Sequence, residues 1–138
     1  MIDVRLTDDK LNLEEISKLI HSEDSGGIVI FDGTVRNQTK TRSVVYLDFE
    51  AYTPMAIREM EKIAQKVKEK FDAHAVVIFH RTGRLFPGET AVLIGVATAH
   101  REAAFAGCKW AIDELKKTVP IWKKEYFTDG EVWVAAHP

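Results

Sequence analysis

The feature that most constrains the fold is a pair of neighbouring β-branched runs, AHAVVIFHRTG (73–83) and TAVLIGVATAH (90–100). Only RLFPGE separates them, and its Pro87-Gly88 is a turn signal. Two strands this close in the chain are expected to pair antiparallel. The remaining periodicities fill in around them. Ile2, Val4 and Leu6 alternate with polar residues as a first strand. Leu13, Ile16, Leu19 and Ile20 follow at helical spacing, with Asn12 as N-cap and Glu15 in the capping-box position. Gly26-Gly27 opens the apolar run IVIF, and VVYLDFEAY (44–52) alternates as a strand. Thr53 is expected to cap a helix with Pro54 at its first position and Met60, Ile63, Ala64, Val67 and Phe71 on its buried face.

A last helix is expected over Arg101–Thr118, its stripe formed by Phe105, Cys108, Ile112, Leu115 and Val119, and Pro120 stops it. WKKEYF and VWVAA, joined by Thr128-Asp129-Gly130-Glu131, predict a hairpin with an Asp-Gly turn. The resulting order, β-α-β-β-α-β-β-α-β-β, lacks the regular alternation of a doubly wound sheet, so the class is α+β. The 138 residues suit one domain spanning 1–138. With 46% hydrophobic and 29% charged residues the chain can offset its folding entropy.

Several function classes lose support at this level. The longest apolar runs fall short of the roughly 20 residues of a membrane helix, and MIDVRLTDDK has neither signal nor transit character, so a cytoplasmic protein is expected. The single cysteine, Cys108, cannot close an internal disulfide or build a Cys-rich zinc site. Five scattered histidines offer no metal-ligand spacing, and no metal or cofactor is expected. Net charge is −2, against bulk attraction to nucleic acid. That average conceals a gradient: residues 1–35 hold eight acids and three bases, the remainder thirteen acids and sixteen bases. RNQTKTRS (36–43), with three bases and no acid, reads as a mobile basic loop.

The basic residues form the most suggestive group. Arg36 follows a strand, and His100-Arg101 sit where a strand gives way to a helix, whose unpaired N–H groups suit a phosphate or carboxylate. Lys116 flanks Leu115 on the apolar stripe, where desolvation or neighbouring Lys117, Lys123 and Lys124 would lower its pKa toward that of a useful base or nucleophile. Cys108 shares the buried stripe and is a poor nucleophile. An enzyme and a non-catalytic module holding an acidic tail or a small phosphorylated ligand both fit these residues.

FDGTVRN, HRTGRLFPGE, ATAHREAAF and LKKTVPIWKKE occur in this order, and together they resemble the conserved blocks of the molybdopterin synthase catalytic (large) subunit family across Met1 to Ala136. The resemblance implies an α/β hammerhead fold with a mixed or antiparallel sheet and a small additional β subdomain. It implies a homodimer that forms a heterotetramer with two small ubiquitin-like sulfur carriers. Each carrier would thread a C-terminal Gly-Gly thiocarboxylate into a pocket of this chain. The implied substrate is cyclic pyranopterin monophosphate, converted by two sulfur transfers to the dithiolene of molybdopterin. By the same resemblance Lys116 and Lys123 are catalytic, and Thr34, Val35 and Arg36 form the substrate loop. His100 and Arg101 reach the site across the dimer, Lys124 and Glu125 complete the last block, and Phe31 lies close to the pocket.

Overall fold

A computed structural model describes residues 1–138. The elements run β1 (Ile2–Thr7), α1 (Leu13–Ile20), β2 (Gly27–Thr34), β3 (Gln38–Thr39), β4 (Arg42–Ala51), α2 (Thr53–Lys70), β5 (Ala75–Arg81), β6 (Gly83–Leu85), β7 (Thr90–Thr98), α3 (Arg101–Thr118), β8 (Ile121–Phe127) and β9 (Val132–Ala135). The class is α+β, and the two central runs pair antiparallel, Ile78 opposite Ile94.

Two sheets organise the chain. The first has the order β1-β5-β7-β2 and is mixed, with β1 parallel to β5 and the other pairs antiparallel. The second is antiparallel, in the order β3-β4-β8-β9, and β6 adds to β4. Strand parity divides the first sheet's side chains between two cores. Val76 and Ile78 of β5 face the larger core with α2 and α3, whereas Ala75, Val77 and Phe79 meet Ile16 and Ile20 of α1. Full burial of these two isoleucines contributes roughly 1.5–3 kcal/mol each, which holds an eight-residue helix too short to be stable alone. No helix is long and apolar enough to cross a membrane.

Local chemistry explains the element ends. Asn12 caps α1, its Oδ1 accepting from the backbone N–H of Glu14 and Glu15, while the Glu15 carboxylate turns to Arg5. Thr53 is the first residue of α2 rather than its cap; Tyr52 holds the cap position without a side-chain bond, and the proline at the helix start supplies the preset φ. Gly130, at φ 87°, makes the turn between β8 and β9. Gly27 has a different role: a Cβ there would lie 2.6 Å from the Arg101 Cα, so only glycine lets the start of α3 rest on β2.

Two sequence expectations need correction. Segment 36–43 is not a loose loop: β3 and the start of β4 form a hairpin, with Lys40 at φ 57° in its turn and Arg42 paired to Glu131 and Asp129. The buried face of α3 is made by Ala104, Gly107, Cys108, Ala111 and Leu115, and Phe105 is 63% exposed. Small residues let α3 lie close to its neighbours, and a Cβ on Gly107 would already press on the Phe71 ring at 3.3 Å. A stripe of large residues has no room there.

Candidate active site

A cavity of about 380 Å³ opens where the first sheet, the second sheet and the last turns of α3 meet. Phe31, Gly33, Thr34 and Val35 line it from the end of β2, Ala91 and Val92 from β7, and His80 from β5. Leu47 and Phe49 of β4 and Lys123 and Glu125 of β8 supply the second wall. Ile112, Leu115 and Lys116 complete it from α3, with Arg36 beside Thr34 and Val35. Three cations, Arg36, Lys116 and Lys123, thus converge on one space with two carboxylates, Asp32 and Glu125.

The position of Lys123 follows from strand parity. Ile121, Glu125 and Phe127 of β8 are buried, so Lys123 between them also points inward. Burial lowers its pKa, and the charges of Lys116 and Arg36 push it further in the same direction; Glu125 pulls the opposite way. Lys116 is exposed on the last turn of α3, so the desolvation expected of it falls on Lys123 instead. Glu125 is buried and accepts from the Thr39 hydroxyl at 2.9 Å. Asp32 accepts from the Thr90 hydroxyl at 2.8 Å.

Some cations elsewhere in the chain have carboxylate partners. Arg81 pairs with Glu89, Arg84 with Asp48, Lys109 with Asp113 and Lys124 with Glu50. Arg36, Lys116 and Lys123 have no carboxylate within ion-pair distance and no side-chain hydrogen bond. Unpaired cations gathered over an apolar floor suit an anionic ligand with a hydrophobic body.

Segment 34–36 is held by backbone bonds. The Val35 N–H donates to the Glu89 carbonyl at 2.9 Å, and the Gly88 N–H donates to the Val35 carbonyl at 2.8 Å. The Glu89 carboxylate accepts from both Arg81 and the Phe86 N–H, so HRTGRLFPGE acts as a brace for residues 34–36. Cys108 is buried, and burial pushes its thiol up to about 11, leaving it protonated and unreactive at neutral pH.

Three of the residues singled out in the sequence lie outside this cavity. Lys124 is on the opposite face of β8, 3.5 Å from Glu50. His100 and Arg101 border a separate open hollow at the start of α3, with Glu102, Phe105, Ala106 and Lys109. Reading the sequence missed His80, Asp32 and Thr39. Strand parity in AVVIFHR, which puts His80 on the same face as Val76 and Ile78, is the signal that finds the first.

The pattern of a MoaE protein matches residues 6–118. The chain belongs to the MoaE protein family. This match takes in Arg36, His100, Arg101 and Lys116 and ends before Lys123. The "Molybdopterin synthase catalytic subunit" of Pyrococcus abyssi is 45% identical over 123 residues, 89% of this chain and 83% of the relative. The crystal structure of molybdopterin synthase from Staphylococcus aureus superimposes with a TM-score of 0.90 at 36% identity, covering 96% of each chain. A Helicobacter pylori structure, a protein-protein complex of subunits 1 and 2 of molybdopterin-converting factor, shares the fold with a TM-score of 0.76 at 22% identity over 99% of this chain and 93% of that one.

Proposed function

We propose that this MoaE-family chain is the catalytic subunit of a molybdopterin synthase. It transfers two sulfurs from a thiocarboxylated carrier to cyclic pyranopterin monophosphate. The observation that carries the reading is the convergence of unpaired Arg36, Lys116 and Lys123 in one cavity with Phe31, Thr34, Val35 and Glu125. Its relatives bear the synthase name, and a two-subunit complex of the same fold accords with a separate carrier.

The chemistry follows from this chain's side chains. Its only thiol is buried and protonated, so sulfur has to arrive on a partner. In each transfer a carbon–sulfur bond forms on the heterocycle. The carbon–sulfur bond to the carrier then breaks by hydrolysis, and the carrier leaves as a carboxylate carrying oxygen from water. Oxygen displaced from the heterocycle develops negative charge as it departs. Arg36 and Lys116 hold the phosphate and that developing charge. Lys123, whose amine gives up its proton more readily than a free lysine, exchanges protons with the reacting centre. A bound phosphate favours the charged amine and readies it as an acid.

His100 and Arg101 enter this reading through a second copy of the chain. The rise of an α-helix, about 1.5 Å per residue, separates Arg101 from Lys116 by about 22 Å along α3, too far to share one small substrate. In a homodimer they close the partner's cavity.

Reconstitution tests the reading. Purified chain, thiocarboxylated carrier and cyclic pyranopterin monophosphate are combined, and dithiolene product is measured. Wild type is expected to turn over and Lys116→Ala to lose nearly all activity. No product from wild type favours a non-catalytic module, and full turnover by the variant removes Lys116 from the chemistry.

A further inference from the structure

The innermost polar group of the cavity has no role in the reading above. His80 is 1% exposed, and its ring sits edge-on to Phe49 at 5.5 Å and 67°, which fixes the imidazole plane. Its Nδ1 lies 2.8 Å from the Arg81 carbonyl. A carbonyl only accepts, so Nδ1 carries the ring proton and Nε2 presents a bare lone pair. Nε2 has no partner in the chain, yet no solvent-shielded side-chain nitrogen or oxygen lacks one. Nε2 is therefore the part of His80 that reaches the cavity it lines.

We propose that His80 is a substrate-reading residue: its Nε2 accepts a hydrogen bond from an N–H group of the bound heterocycle. The proposal rests on the function assigned above and deepens it by giving the cavity a second recognition element. The cations hold the substrate's phosphate, but Arg36, Lys116 and Lys123 offer only donors. A nitrogen heterocycle needs an acceptor for its own N–H groups. The cavity's two carboxylates each accept one hydrogen bond, Glu125 from Thr39 and Asp32 from Thr90, and keep further lone pairs as charged acceptors. His80 is the neutral acceptor with no partner in the chain, and it stands among Leu47, Phe49, Val92 and Leu115, an apolar floor suited to a flat ring.

Burial lowers the His80 pKa to about 4, so the ring stays neutral and the lone pair stays free through the physiological range. This favours a fixed acceptor over a proton shuttle. An N–H bound elsewhere in the cavity would leave that lone pair buried without a partner.

Two measurements test the proposal. The first follows the imidazole nitrogens of ¹⁵N-histidine-labelled wild type by NMR as cyclic pyranopterin monophosphate is added. The His80 Nε2 resonance is expected to move upfield with saturating binding while Nδ1 stays in place. The second compares substrate Kd and kcat for His80→Phe and His80→Gln by calorimetry and single turnover. Phe is expected to weaken substrate binding about tenfold with the carrier's affinity unchanged, and Gln, which retains an acceptor, to recover most of the loss. An Nε2 signal indifferent to substrate, or one that moves with the carrier tail alone, overturns the proposal while leaving the assigned function intact. Failure of wild type to bind the pterin overturns both. The NMR arm needs no variant to fold.

Discussion

The two ends of α3 carry candidate functional residues under opposite conditions. At its C-terminal end Lys116 joins Arg36 and Lys123 in a cavity walled by both sheets, where burial and mutual repulsion lower the Lys123 pKa. At its N-terminal end His100 and Arg101 stand on an open hollow beside Phe105, a large apolar side chain left 63% exposed. The first end is preorganised by this chain alone. The second has cation and apolar surface with nothing in the chain to cover them, as expected of a half-site completed by another copy. Under the proposed function, one helix thus separates chemistry done within a protomer from recognition supplied across an interface.

The sharpest way to break this contrast is at the enclosed end. Lys123→Ala and Lys116→Ala are each expected to lower single-turnover dithiolene formation by about 10²–10⁴-fold, the range for a positioned proton-transfer or charge-stabilising group. The two variants should differ in pH response. Loss of the Lys116 charge relieves part of what lowers the Lys123 pKa, so the alkaline fall of residual activity in Lys116→Ala, where the acid loses its proton, moves to higher pH. An unshifted profile would separate the two lysines.

Enclosure also has a thermodynamic signature. An unfolded histidine takes up its proton near pH 6.5, whereas folded His80 resists protonation until about pH 4. Between these values the unfolded state binds more protons, so His80's share of stability is full above pH 6.5 and lost as pH falls toward 4. This gap corresponds to roughly 3 kcal/mol. Urea unfolding of wild type and His80→Phe across that window should show the steeper acid loss in wild type alone. Parallel curves would mean that the ring is not enclosed as described.

At the open end the expected effects are smaller and depend on the partner. Arg101→Ala should cost about tenfold in kcat/KM, for loss of one charge-assisted contact. Mixing inactive Lys116→Ala chains with Arg101→Ala chains should restore activity, because half the sites of each mixed dimer would then be intact. Mixtures that stay at the average of their components would show that Arg101 acts, if at all, within its own chain.

The sequence made some of this readable and hid the rest for physical reasons. The antiparallel centre was plain in two apolar runs, and α3 was bounded by its capping position and Pro120. Phe105 was misplaced because periodicity gives weight to large residues. The face that packs uses Ala104, Gly107 and Ala111, whose small size carries little hydrophobic signal yet permits close approach. The β3–β4 hairpin was hidden because polar residues built it, ordered by Arg42's ion pairs to acids almost ninety residues away. Lys116 and Lys123 could be named from block resemblance. That burial falls on Lys123 depends on where the second sheet lies, which no local pattern states.

Lys124 gives the smallest effect and a strict control on strand parity. It neighbours Lys123 and carries the same charge, yet its ammonium lies on the outer face of β8 against Glu50, with both side chains substantially exposed. An exposed pair of this kind contributes less than about 1 kcal/mol. Lys124→Ala should therefore leave product formation within about twofold of wild type and barely change the urea midpoint. A loss comparable to that of Lys123→Ala would mean that β8 presents both lysines to the substrate, which an alternating strand cannot do without a bulge between them. The register there is unbroken, with Lys123 opposite Phe49 and Lys124 opposite Asp48, so the two adjacent ammonium groups should separate cleanly into one that reacts and one that does not.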